Sequence, residues 1–316
     1  MRRFAKSHEA ALAVLLVAGL MAAWKMDPTF VSLRAQTLLS THVWELAIVA
    51  VPTMLIIVSG GIDLSVGSIV ALAAVAFGLL VEAGWAVPWA AAVALVVGAA
   101  CGSVNGWLVA RLRVHPLIVT LATMAVFRGV AEGVSLARPL SGYSEGFRQL
   151  SEGRLGGLPV PGAVFLVVTL AAGIAMRKTT AGRQIVAIGL NEVAARYSGL
   201  RVARAKMLLY AGSGLACAVA ALLLVARNNT AKADLGTGLE LEAITCAVLG
   251  GTRIEGGTGN VFGLLLGIVL IHETREFVSW HWKQSELNLI VIGVLLLASV
   301  LAQRALAGRT ASEGTS

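Results

Sequence analysis

The chain has 316 residues, of which 57% are hydrophobic and only 13% charged, with a formal net charge of +8. Soluble domains carry roughly a quarter charged residues, so a water-facing shell cannot be assembled from this sequence. A mean hydropathy of +0.83, in runs long enough to cross a bilayer, describes a polytopic membrane protein.

Ten apolar segments follow one another at about 10–25, 43–59, 67–83, 88–110, 114–136, 160–176, 205–226, 240–252, 259–274 and 286–303. They predict an all-α membrane protein of about ten transmembrane helices. The first segment follows MRRFAKSHEA and has the layout of a signal peptide. No small-residue cleavage site comes after it, so it reads as an uncleaved first helix. The eighth and ninth are short and joined by the glycine-rich GGTRIEGGTG (250–259). A re-entrant hairpin within 240–274 is therefore an open alternative there.

Counted from a cytoplasmic N-terminus, alternate loops collect 15 of the 25 basic residues. That asymmetry follows the positive-inside rule and predicts both termini in the cytoplasm. Six of the seven tryptophans (24, 44, 85, 89, 280 and 282) fall at expected outer ends and Trp107 near an inner end, where amphipathic rings favour the interface. The whole of 1–316 reads as one transmembrane domain, with a polar cytoplasmic loop at 177–206 and a flexible cytoplasmic tail at 305–316. Gly98, Gly102 and Gly106 share a helical face, as do Gly259, Gly263 and Gly267. Small residues at that spacing let helices approach closely, with the partner unspecified.

One stretch interrupts the apolar pattern: VSGGIDLSVGSIVAL, from Val58 to Leu72. Gly60 and Gly61 suit a helix end, Asp63 or Ser65 can cap the next helix, and Gly67 follows in its first turn. Such a capped turn is the plain structural reading. The functional reading is a cytoplasmic gate, because an ionisable group beside the bilayer needs a partner or water.

SGGIDLSVGS resembles the signature of the permease subunits of bacterial sugar ABC importers, in the ribose, xylose, arabinose, rhamnose and autoinducer-2 group. The resemblance continues through VHPLIVTLATMAVFRG (114–129), GRQIVAIGLNEVAARYSGLRVARAK (182–206) and GTGLELEAITCAVLGGTRIEGGTGNVFG (236–263). It implies a permease in the bacterial inner membrane, paired with a second copy or a paralogue. Two ATP-binding cassettes, or one fused double cassette, and a periplasmic sugar-binding protein complete the implied assembly. ATP and Mg would be used by those partners, and the chain itself would be non-catalytic and bind no cofactor. It contains no phosphate-binding G-x-x-x-x-G-K-[ST] loop of its own. The segments HVWELAIVAVP (42–52) and HETREFVSWHWKQSE (272–286) look most similar to rhamnose-type permeases. A pentose or a deoxyhexose such as rhamnose is thus the expected cargo.

Within the loop, NEVAARYSGL resembles the coupling helix by which import permeases contact their ATPases. The residues implied are Gly182, Arg183, Asn191, Glu192, Ala194, Ala195, Ser198 and Gly199. The glutamate is displaced by one place from the general pattern, with Val193 in its stead. A neutral sugar needs hydrogen-bonding groups along its path, and Ser59, Asn105, Thr120, Thr123, Ser213, Thr245 and Asn260 are candidates. Each has an alternative fate in a bond to a backbone carbonyl or a neighbouring helix. Glu240, Glu242, Arg227, Lys232, Arg138 and the 272–286 loop are candidates for docking the binding protein electrostatically.

Two competing signals are weak. GYSEG (142–146) matches the nucleophile-elbow pattern but lies in a polar outer loop, without the strand and helix that motif needs. Five histidines and three cysteines (Cys101, Cys217, Cys246) show no metal-ligand spacing, so no metal site and no disulfide framework is implied. The alternative function is an ion-coupled secondary sugar carrier. Such carriers place carboxylates at mid-helix, whereas Glu45, Glu82, Glu132, Glu240, Glu242 and Glu286 fall near predicted helix ends.

Overall fold

A computed structural model describes residues 2–282 and 285–313. In chain order, α1 (Arg2–Met26), α2 (Leu33–Leu39), a 3-10 turn (Ser40–His42) and α3 (Trp44–Val58) come first. Then follow α4 (Val66–Glu82), α5 (Val87–Ala110), α6 (Pro116–Ser135), the strand β1 (Leu140–Ser141) and α7 (Glu145–Glu152). Next are β2 (Arg154–Leu155), β3 (Leu158–Pro159), α8 (Val160–Lys178), α9 (Thr180–Leu190) and α10 (Glu192–Tyr197). The chain continues through α11 (Val202–Asn228), β4 (Thr230–Ala231), α12 (Leu239–Leu249), α13 (Val261–His281) and α14 (Ser285–Glu313). The strands form two small antiparallel ladders, β1 with β4 and β2 with β3, with Leu140 opposite Ala231 and Arg154 opposite Pro159.

Each of the ten predicted apolar segments coincides with one helix, but not every helix has the length to span. Five of the described helices are long and apolar enough to cross a membrane, or six if α2 and α3, bent by 54°, act as one. The others fall short for local reasons. Helix α4 has 17 residues, roughly 25 Å against a hydrocarbon core of about 30 Å. Helix α12 has 11 residues. Helix α13 carries His272, Glu273, Arg275 and Glu276 in its second half. Helix α14 runs on through 305–313, the stretch expected as a tail, whose residues 314–316 lie outside the described ones.

The centre of the subunit is the packing of α3, α4, α5 and α11. Lipid removes the hydrophobic drive between helices, so van der Waals contact must hold them together. Here the two glycine runs find their partners. A methyl group on Gly102 would collide with the Tyr210 carbonyl, and one on Gly214 with the Gly98 carbonyl, so α5 and α11 touch backbone to backbone. Gly263 and Gly267 meet Gly250 and Cys246 in the same way, closing α13 on α12. Helices α1, α6, α8 and α14 present exposed apolar residues such as Val17, Ile118, Val167 and Leu297, the composition expected of a surface facing lipid or a second subunit.

At the end opposite α10, short segments are held by paired charges. Arg227 meets Glu45 at 3.2 Å, Arg275 meets Glu242 at 2.8 Å and Glu276 at 3.4 Å, and His42 meets Glu276 at 3.4 Å. Trp280 donates its indole N–H to Asp27 at 2.8 Å, and Phe30 packs edge-on against Phe277 and Trp280. Hydrogen bonds from Thr29 and Trp280 hold the Asp27 carboxyl below the usual carboxylate range.

Candidate functional site

The loop expected to couple to an ATPase folds into α9 and α10. Helix α9 starts at the cap Thr179, whose hydroxyl accepts from the Gly182 N–H at 3.4 Å. Gly182 itself is buried against the Ala175 carbonyl and Met176. Asn191 separates α9 from α10 in extended conformation, and its Oδ1 accepts from the Ala194 N–H at 2.9 Å, a side-chain cap for a helix of six residues. The helix ends where Gly199 enters the left-handed region at φ +81° and the Leu200 N–H returns to the Ala195 carbonyl at 3.1 Å. Glycine makes that reversal at no steric cost. Ser198 closes the last turn with a hydroxyl bond to the Ala194 carbonyl at 2.9 Å.

Helix α10 has two faces. Ala195 is buried among Ile188 and Val202, while Val193 and Tyr197 are exposed, Tyr197 at 89%, as is Leu190 at the end of α9. Ala194 is also exposed. Glu192, the displaced glutamate, pairs with Arg196 at 2.8 Å and with Lys206 of α11 at 2.6 Å. Partial burial opposes its ionisation, but the bonds from Lys206 and Arg196 outweigh that and hold the carboxyl below the ordinary glutamate range. Arg183 lies on α9 with no acidic partner among the described residues.

The Gly-Gly-Ile-Asp-Leu-Ser stretch is the second element. The backbone leaves α3 at Ser59, passes through Gly60 at φ +78° and stays non-helical until Ser65 opens α4. Asp63 folds back to accept from the Ser65 N–H at 2.9 Å and the Ser65 hydroxyl at 2.6 Å. The turn of the plain reading forms, but neither side chain caps α4: Asp63 bonds only Ser65, the residue before the helix, and both are fully buried. Three helices reach into it. Asn105 of α5 donates to the Ser65 hydroxyl at 2.7 Å, Tyr210 of α11 donates to the Ile62 carbonyl at 3.3 Å, and the Thr120 hydroxyl of α6 lies 3.4 Å from that carbonyl. Gly67 lies one turn further on, directly against Gly236 and the Glu240 carboxyl.

The candidate pathway residues are mostly bonded at home. Ser59 donates to the Ile56 carbonyl, Thr120 to Pro116, Thr123 to Val119 and Thr245 to Leu241, at 2.7, 2.9, 3.0 and 2.6 Å. Asn260 caps α13 through the Phe262 N–H and bonds Glu9 of α1. Ser59, Asn105, Thr120, Ser213 and Thr245 are buried within the single subunit, so no surface of the isolated chain presents them to a solute. The candidate docking charges behave similarly, since Glu242, Arg227 and Arg138 are paired inside the chain with Arg275, Glu45 and Glu82. Ser144 of the GYSEG match is simply the residue before α7.

Sequence reasoning missed Arg128 and the partnership of Lys206. Arg128 of α6 donates to the carbonyls of Ala233 and Leu235, fastening the segment that leads into α12. A guanidinium inside a mostly apolar, span-length helix was the available signal. Lys206 looked like one more positive-inside charge, yet it is 5% exposed and serves Glu192.

Residues 37–300 match the family described as the permease component of the branched-chain amino acid transport system. The chain is 35% identical over 301 residues to the autoinducer 2 import system permease protein LsrD of Escherichia coli strain K12, covering 93% of this chain and 91% of that protein. The LsrD permease of Yersinia enterocolitica is 38% identical over 264 residues, covering 82% and 80%. No solved structure matches. The resemblance carried by SGGIDLSVGS and the later blocks thus extends along the whole fold, and the chain belongs to this family of ABC import permeases.

Proposed function

We propose that this protein is the membrane-spanning subunit that conducts a small, neutral, polyhydroxylated solute inward through a bacterial inner membrane. The cargo is a pentose or a deoxyhexose such as rhamnose, or the autoinducer that the similar permeases are named for. A periplasmic binding protein delivers it, and two ATP-binding cassettes or one fused double cassette supply the energy with ATP and Mg. A second copy of the chain or a paralogue completes the pathway, and both termini face the cytoplasm. The observation that carries this reading is α10. A short capped helix presents Val193 and Tyr197 outward, beside Leu190 at the end of α9, while Glu192 ties it to α11 through Lys206.

The cytoplasmic gate of the sequence reading is kept in a modified form, supported by the burial of Asp63, Ser65 and Ser68. We take it as the internal joint at which α3 and α4 change angle when the cassettes close, with Asp63 holding the joint in register.

The test is co-purification from mild detergent. An added Cβ at Gly199 meets no atom within 4 Å, so Gly199→Arg introduces charge and bulk without a collision inside this chain. We expect a cassette ATPase to accompany the wild type and to be lost with Gly199→Arg. Gly199→Asn, which tolerates the left-handed conformation, should retain it. If no ATPase accompanies the wild type, and the protein alone moves sugar into liposomes down an ion gradient, the importer reading fails.

A further inference from the structure

Three of the four arginines around the start of α11 have no acidic partner among the described residues. Arg201 and Arg204 stand at its first turn, Arg111 at the end of the neighbouring α5, and Arg196 on α10. Arg196 is spoken for by Glu192. Arg111, Arg201 and Arg204 are exposed and have no acidic partner among the described residues. Two concavities flank this turn and share Leu200, Arg201, Arg204 and Leu208 as walls. One, of about 490 Å³, extends toward Gln184 of α9. The other, of about 710 Å³, extends toward Arg111 and Met207.

The vertical order of the lining decides what fits. Guanidinium groups occupy the end of α11, and the next turn along the same helix is apolar, with Leu208 66% exposed. The ATPase-facing surface proposed above, with Leu190, Val193 and Tyr197, lies on α9 and α10 instead. A water-soluble partner would have to cover both the arginines and an exposed leucine within a membrane-spanning helix. A phospholipid satisfies both at once, with phosphate against guanidinium and acyl chain along Leu208 and Met207. Arginine suits phosphate because its planar fork donates two parallel bonds. Basic residues next to the bilayer attract anionic lipid in general. The concavities and the unpaired guanidinia make a localised seat rather than a diffuse field.

We propose that the turn at the start of α11 is a binding site for one or two anionic phospholipids. They hold the coupling segment against the membrane beside its ATPase-facing surface, with Gly199 lining one concavity and Arg196 the other. The site requires neither a cassette nor a cargo, so it can be examined apart from the importer reading.

The experiment is native mass spectrometry of the purified full chain, titrated with phosphatidylglycerol or phosphatidylethanolamine of matched acyl chains. We expect retention of phosphatidylglycerol at least tenfold above phosphatidylethanolamine. The combined change Arg111→Gln, Arg201→Gln and Arg204→Gln should abolish that preference, at roughly fivefold per guanidinium. The corresponding three lysine changes, which keep charge and topology, should weaken it only in part and control for misfolding. Leu208→Glu, which leaves every arginine in place, should lower phosphatidylglycerol retention by denying the acyl chain its seat. Equal retention of the two lipids by the wild type would overturn the proposal. So would a preference that survives the glutamine variant. Loss of the lipid when the cassette ATPase binds would also overturn it, since the guanidinia would then belong to that partner.

Discussion

The break at Ser59–Ser65 and the turn at Asn191–Gly199 are built from the same parts and placed in opposite surroundings. Each has an Asx side chain accepting from a backbone N–H two or three residues ahead, Asp63 from Ser65 and Asn191 from Ala194. Each has a glycine in the left-handed region, Gly60 at φ +78° and Gly199 at φ +81°. Around the first, three helices converge with Asn105, Thr120 and Tyr210. Around the second there is mostly open space. A similar local device is therefore buried in one place and projects in the other, because a buried polar group must be satisfied by protein whereas an exposed one can turn to water.

The comparison can be broken most directly at the two Asx side chains. Asp63→Ala leaves the Ser65 N–H and hydroxyl without their acceptor in a buried site, and we expect a loss of about 3 kcal/mol. Thermal unfolding in mild detergent measures it, and transport should fall while membrane insertion persists. Asn191→Ala at the exposed cap should cost only about 1 kcal/mol. Equal costs would mean that burial does not separate the two sites. Gly60→Ala and Gly199→Ala sharpen the point from the other side. Neither Cβ meets an atom closer than 3.8 Å, so both should show only the backbone cost of a left-handed residue, about 1 kcal/mol each.

The smallest expected effect is that of pH on Glu192. Its carboxyl is held below the ordinary 4.5, so the pairing stabilises the fold fully above that value and is lost as pH falls through the lowered one. Amide exchange across 192–197 should be flat in its protection from neutral pH down to about pH 5 and should lose protection below 4.5. In Glu192→Gln that acid-induced loss should be absent.

Much of this was legible from the residues. Each of the ten apolar runs falls on a helix, and the resemblance of NEVAARYSGL to a coupling helix marked a short helix ending at Gly199, because apolar runs and left-handed glycines are local chemistry. The coupling of Glu192 to Lys206 could not be read, since fourteen residues and a reversal of direction separate them. Burial of Asp63 was hidden for the same reason. Its neighbours Asn105, Thr120 and Tyr210 come from three helices, and an aspartate between glycines looks identical at a surface. The expectation of ten crossings exceeded what length supports, because an apolar run reports composition and not whether a helix such as α12 is long enough to traverse.

Helix α11 has 27 residues and is therefore roughly 40 Å long. One end is bolted to α10 through Lys206 and Glu192, and the other is bolted to α3 through Arg227, which also donates to the Thr41 carbonyl at 2.9 Å. Between them, backbone contact with α5 leaves no soft layer to absorb a push. Such an element behaves as a connecting rod: a displacement at the Tyr197 end arrives at the Glu45 end without having to pass through any loop.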